Sequence, residues 1–290
     1  MKKLVLLTIP VVAVGAGIVK KKATGIKKIK TLCDIKYTGK TIVGINTLPT
    51  EKSEWTETQR VYNWGSKNPN IEDDDDDNYK WESTYVVKET HRLILPKGFK
   101  TIGNEAFKNL PITEIFVPEG IKSLGADCLY NTNIETIRIP DSVERIESGA
   151  FRKCKSLRNI KFSDKSRLKY IGDKAFDGCS VLQEIHIPAT VTTIGVNAFH
   201  SCRNMRSFTV GVDGRKAVCS LKQDERGFYP LSDCLNLSYL DLRGISNIPD
   251  GSLNDIIFNG QGTLLINKTT KMSKKYKDML LSSRWRINIS

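Results

Sequence analysis

Few side chains in this sequence are of a kind that does chemistry. Histidine occurs at His91, His186 and His200, and there are seven cysteines. His200 and Cys202 stand two apart, as a metal pair or an imidazole beside a thiol nucleophile would. Cys202, however, shares one slot of a recurring pattern with Cys154, Cys179 and Cys234, and a residue set by such a pattern is best read as a small buried hydrophobe. With four cysteines in one register and an odd total, a ladder of free thiols fits better than a disulfide framework. The run from Asp73 to Asp77 places carboxylates at alternate positions, as calcium loops do. Asn78 then takes the sixth position, where glycine is needed, and Thr84 the twelfth, where glutamate is needed, so a solvated acidic loop is expected. Gly15 and Gly17 follow apolar residues, but Lys20 stands where the third glycine of a dinucleotide turn belongs. There is no serine-nucleophile motif, phosphate loop or HExxH. The expectation is a binding protein with no catalytic, cofactor or metal residues.

The elements that position these residues repeat. IGNEAF (Ile102 to Phe107) recurs as IESGAF (Ile146 to Phe151), IGDKAF (Ile171 to Phe176) and IGVNAF (Ile194 to Phe199). A step ending in proline recurs before it, as IFVP to Pro118, IRIP to Pro140 and IHIP to Pro188. The phenylalanine slot is filled by Phe107, Leu129, Phe151, Phe176, Phe199, Leu231 and Leu253, at steps of 22, 22, 25, 23, 32 and 22 residues. Self-similarity at this period predicts a stacked solenoid. The alternation in Ile137/Ile139, Ile160/Phe162 and Ile185/Ile187 predicts one parallel strand per repeat, with one face inward. Proline then ends the strand, because it has no N–H for a ladder. A two-residue addition precedes Ile171, and residues 211–229 read as a polar insertion projecting from one face.

These motifs resemble the BspA-like leucine-rich repeats of bacterial and protozoan surface proteins. The resemblance covers residues 93–266, in about seven repeats, and rests on the repeated IGxxAF with I-x-I-P. It lacks the asparagine ladder of the more familiar leucine-rich pattern, as this subtype does. It implies a β-rich right-handed coil with a short helical or irregular convex side. Residues 267–290 look like the closing segment of such proteins, with Tyr276, Lys277 and Trp285 in a short amphipathic helix. An open solenoid end needs such a cap. The role the resemblance implies is adhesion or host contact.

If the strand face is the working face, its outward residues form two columns. One is Phe116, Arg138, Lys161, His186, Thr209 and Asp241; the other is Glu114, Thr136, Asn159, Glu184, Ser207 and Tyr239. A protein or glycan ligand is expected there. The net charge of +13 is uneven, and its densest cluster is Arg152, Lys153, Lys155, Arg158, Lys161, Lys165, Arg167 and Lys169, opposed by Asp164. Such a band across adjacent coils would attract an acidic polymer. It has few aromatic partners for base stacking and no known binding motif, which disfavours nucleic acid.

Residues 1–30 carry eight lysines and no acid, with an apolar run from Leu4 to Val19 that looks like a secretory signal ending near Ala16. The lysines after the run oppose translocation, and the run is short for a bilayer span. An uncleaved anchor, the one expected route to a membrane, and an intracellular chain are the alternatives. Residues 31–92 hold Trp55, Trp64 and Trp81 among β-branched and turn residues and read as a small β-rich capping region. The whole reads as a secreted or surface-displayed solenoid that binds without catalysis. An intracellular interaction scaffold and a polyanion or nucleic-acid binder are the alternatives.

Overall fold

The computed structural model of the protein describes residues 6–7, 31–32, 35–45, 51–62, 79–90, 92–211, 219–223 and 229–290. Within them the chain winds as a coil of parallel strands with little helix. The expected I-x-I strand forms in every turn, beginning with Arg92–Ile94, Glu114–Phe116, Thr136–Arg138 and Asn159–Lys161. Glu184–Ile187, Ser207–Val210, Tyr239–Asp241, Thr263–Ile266 and Arg286–Ile289 continue the series. These strands are sheet A. Its central residues Ile115, Ile137, Ile160, Ile185, Phe208, Leu240 and Leu264 are buried, as alternation requires.

Each turn carries a second strand as well. Thr101–Ile102, Ser123–Leu124, Arg145–Ile146, Tyr170–Ile171, Thr193–Ile194, Cys219–Leu221 and Ile245–Asn247 pair in parallel as sheet B. The hairpin of Ile35–Thr38 and Thr41–Ile45 joins its near end, giving nine strands in unbroken order. Sheet A is divided into four and five strands between Asn159–Lys161 and Glu184–Ile187. The division falls at the turn that carries the two-residue addition and has no proline after its strand.

The third side is the IGxxAF turn, and backbone hydrogen bonds run along the stack there too. The amides of Phe107, Leu129, Phe151, Phe176 and Phe199 donate to the carbonyls of Cys128, Ala150, Ala175, Ala198 and Pro230, at 2.7–2.9 Å. Adjacent turns approach so closely that a methyl on Gly172 would lie 2.6 Å from the Ser148 nitrogen. Glu147 takes the glycine slot once, between Gly125 and Gly172. The turn also needs left-handed backbone, at Lys174 (φ 55°) and Gly178 (φ 73°) in one repeat. A non-glycine residue there costs roughly 1 kcal/mol.

Inside, Phe151 and Phe176 stack at 5.0 Å and 5°, and Phe176 and Phe199 at 5.1 Å and 7°. Phe208 closes this column edge-on, 5.3 Å from Phe199. The isoleucines of both sheets pack around it.

Two expectations need correction. The segment 211–229 is not wholly an excursion, because Cys219 and Leu221 are buried and their strand is a rung of sheet B. The C-terminal segment is more than a helical cap. Helix α1 (Asn254–Asn259) follows Leu253, and helix α2 (Lys274–Leu281) begins at Ser273, whose hydroxyl accepts the Tyr276 amide. Tyr276 is buried, and its hydroxyl accepts the Leu253 amide at 2.9 Å. Trp285 lies after α2, buried just before Arg286–Ile289 adds a last rung.

In the region 31–92, Glu51–Tyr62 and Tyr79–Thr90 pair antiparallel over 12 residues each. The side chains of Trp55 and Trp81, the residue Trp64 and the Asp73 to Asp77 run lie outside the described residues. So does the signal-like segment, apart from Leu6–Leu7, which pairs with Thr31–Leu32.

The aromatic column should dominate stability. Phe176→Ala is expected to lower the unfolding free energy by about 4 kcal/mol, measured by chemical denaturation. A loss under about 1 kcal/mol would mean that the column is not the core.

Candidate functional site

Parallel register sets sheet A's outer residues in columns. Glu114, Thr136 and Asn159 are aligned rung to rung, as are Glu184, Ser207 and Tyr239. Phe116 lies in register with Ile94; Arg138 aligns with Lys161, and His186 with Thr209 and Asp241. Most of these residues face solvent. Phe116 is 46% exposed and Tyr239 39%, large values for aromatic rings. Asp241 differs, being 8% exposed, with its carboxylate held by the Arg243 guanidinium at 2.7 and 2.9 Å. It contributes no open charge.

Neighbouring contacts order this face at one end and near its middle. Arg92 pairs with Glu114 and lies 5.7 Å over the Phe116 ring. Thr209 Oγ1 and His186 Nδ1 share a hydrogen bond of 2.7 Å. Among the described residues no carboxylate pairs with Arg138 or Lys161, which sit side by side at the middle of the face. The arrangement offers two exposed rings with cationic and amide groups between them.

The basic cluster does not form one surface. Residues 152–169 make up most of a single circuit rather than lying across adjacent coils. Arg152 and Lys153 are on the third side, where their cations lie 4.7 and 5.6 Å over the Tyr130 ring. Lys161 is on sheet A, and Lys169 sits just before the sheet B strand Tyr170–Ile171. Lys155, Arg158, Lys165 and Arg167 are exposed between these points. A band read along the sequence is spread around the circumference, because one turn takes about that many residues.

The third side carries an open cleft of about 670 Å³, lined by Asp127, Arg152, Asp173, Lys174, Asp177 and His200 among others. Two of its carboxylates have basic partners. Asp127 lies 3.7 Å from Arg152, and Asp177 Oδ1 is 2.9 Å from His200 Nδ1. Among the described residues no group of three histidine, cysteine or acidic side chains is placed to hold a metal. Sequence reading missed the cleft, although its residues occupy equivalent slots just before and after Ala-Phe in successive repeats.

His200 and Cys202 point apart in function. His200 meets Asp177, whereas Cys202 is fully buried and its thiol donates to the Phe176 carbonyl at 3.3 Å. Cys154, Cys179 and Cys234 do the same to Leu129, Phe151 and Phe199, at 3.1, 3.2 and 3.0 Å. The slot thus serves a packing role and gives each buried carbonyl a further donor from the next turn. Among the described residues six cysteines are buried and free. Burial pushes the Cys154 thiol up to about 11 and Cys219 to about 12, and raises Cys128, Cys179 and Cys202 as well. Such thiols are poor nucleophiles and poor metal ligands at neutral pH.

An open coil with a packed interior and solvent-facing columns defines a repeat solenoid, a class that works through the surface it presents. Residues 82–210 match the BspA type leucine rich repeat region in six copies, so this stretch of the chain is built of repeats of that type. Leucine-rich repeats imply a protein-binding role in general. Among solved structures the chain is similar to the leucine rich repeat protein of T. pallidum, at 21% identity and a TM-score of 0.45, over 69% of this chain and 86% of that one. It is similar to the pneumococcal vaccine antigen PcpA at 16% identity and a TM-score of 0.40, over 69% and 79%. A leucine rich cell surface protein from Faecalibacterium prausnitzii is 16% identical with a TM-score of 0.27, over 82% and 95%. No curated protein matches the chain. Among the described residues no helix is long and apolar enough to cross a membrane.

The thiol ladder has a pH signature. A thiol whose folded pKa is raised supports the fold below its unfolded value of about 8.5 and loses that support as pH rises toward the folded value. Stability is therefore expected to fall above about pH 8.5. In Cys179→Ala the fall should be shallower, by about 1.4 kcal/mol per pH unit, in denaturation midpoints taken from pH 9 to 10.5. Identical slopes would contradict the assignment.

Proposed function

We propose that the protein is a non-catalytic binder, secreted or displayed at the cell surface, whose sheet A recognises a protein partner. The observation that carries this is the face itself. Phe116 and Tyr239 are exposed at two points along it, and Arg138 and Lys161 lie between them without carboxylate partners among the described residues. Exposed aromatic rings with cations nearby are the side chains that anchor protein interfaces. Nine strands at about 4.8 Å give a face roughly 38 Å long, enough for an interface of standard size. Arg152 and His200 meet carboxylates in the third-side cleft and the thiols are buried, so among the described residues neither set offers an activated nucleophile, which supports binding rather than turnover. Adhesion or host contact follows from the family resemblance, and export from the apolar run after Lys2 and Lys3. A glycan ligand on the same face is the narrower alternative, since exposed rings also stack on sugars.

A photo-cross-linking residue placed at Arg138 or Thr193 in the full chain tests the face. Arg138, on sheet A, should capture a partner that Thr193, on sheet B, does not, and Lys161→Glu should reduce the capture about tenfold. Equal capture from both positions would contradict the assignment. Surface labelling of producing cells, with N-terminal sequencing, tests display. A labelled chain beginning near Ala16 is expected, and an unlabelled chain beginning at Met1 would overturn it.

A further inference from the structure

Sheet B presents a different chemistry from sheet A. Two places before the buried Ile42, Ile102, Leu124, Ile146 and Ile171 of this sheet stand Lys40, Lys100, Lys122, Glu144 and Lys169. The amides of Lys100, Lys122, Glu144 and Lys169 each donate to the carbonyl of the preceding member, at 2.6–2.9 Å. The side chains therefore rise from successive rungs about 4.8 Å apart, on the sheet that is not divided. Like charges on facing rungs repel, which works against the fold unless something offsets them. Glu144 offsets one, pairing with Lys122 at 2.6 Å. Among the described residues no carboxylate forms an ion pair with Lys40, Lys100 or Lys169.

The carboxyl of Glu144 reports the field of this face. Its hydrogen bond with Lys122 and that lysine's charge hold it below the ordinary range, and Lys169 and Arg167 add to the effect. Beside the column runs a row of half-buried hydroxyls, Thr41, Thr101 and Ser123. Further along the same row, the Arg145 guanidinium lies 4.2 Å over the Tyr170 ring and the Lys222 ammonium 5.8 Å from its centre. With cations on this ring, Tyr170 is no free platform on which a nucleic-acid base could stack.

We propose that sheet B binds a linear acidic polysaccharide laid along the stack. Its sulfate or carboxylate groups meet Lys40, Lys100, Lys122 and Lys169, and its sugar hydroxyls meet Thr41, Thr101 and Ser123. A regular column of cations suits a polymer with regularly spaced anions, and hydroxyl side chains suit a ligand rich in hydroxyl groups. The site is independent of the partner proposed for sheet A.

The test uses the full chain and three probes, heparin, hyaluronan and oligodeoxythymidylate, titrated at low and physiological salt. The comparison variant is Lys40→Gln/Lys100→Gln/Lys169→Gln, which removes no ion pair seen among the described residues and relieves like-charge repulsion, so its unfolding midpoint should hold or rise. Its affinity for heparin should fall at least about tenfold, whereas Arg138→Gln/Lys161→Gln on sheet A should lose less than about twofold. Hyaluronan binding lost in the same pattern would show that carboxylates suffice; heparin binding alone would assign the site to sulfate. Equal losses from the two variants, no binding of either glycan at low salt, or oligodeoxythymidylate binding as tight as heparin would each overturn the proposal.

Discussion

Everything in this molecule depends on backbone groups of one turn finding their partners in the next. An isolated repeat of about 22 residues has one short strand, one shorter strand and a tight turn, and could bury none of its apolar face alone. Stacking satisfies the amides and carbonyls on all three sides at once, as the bonds from Phe151 to Ala175 and from Phe176 to Ala198 show on the tightest side. Once that offset is fixed, equivalent positions must lie above one another. The phenylalanine column, the thiol ladder and the outer columns of both sheets are consequences of one register.

The same constraint explains which residue types recur. Glycine before the Ala-Phe turn is required where the backbones of neighbouring turns touch, as at Gly172. Alanine and phenylalanine fill a narrow and a wide part of the interior, and cysteine supplies a small buried donor to the phenylalanine carbonyl beneath it. None of these positions is free to carry chemistry. Variation is confined to the outward positions, so whatever the protein recognises must be read there.

How much of this was legible in the sequence differs from element to element. Phe107, Phe151, Phe176 and Phe199 announce the period, and the alternation around Ile137 and Ile185 announces sheet A and its columns. Sheet B is harder to see, because Ser123–Leu124 and its equivalents are two residues long and two residues contain no alternation. The rung Cys219–Leu221 does alternate, but three residues are too few to stand out from the polar sequence around them. Asp241 occupies an outward slot by period, yet Arg243, two residues on, folds back and covers it. The basic cluster 152–169 misled because closeness along a coil is not closeness on a face. Lys40, Lys100, Lys122 and Lys169 are scattered in sequence and come together only when turns are laid over one another.

Single-residue amide hydrogen exchange on the native full chain bears most directly on this register. The amides of Leu129, Phe151, Phe176 and Phe199 should be protected to a similar and high degree, opening only with global unfolding, because each is bonded to the turn above. Fast exchange at these amides, with protection limited to the two sheets, would show that the third side does not lock the turns together and would remove the basis for both columns of recognition residues.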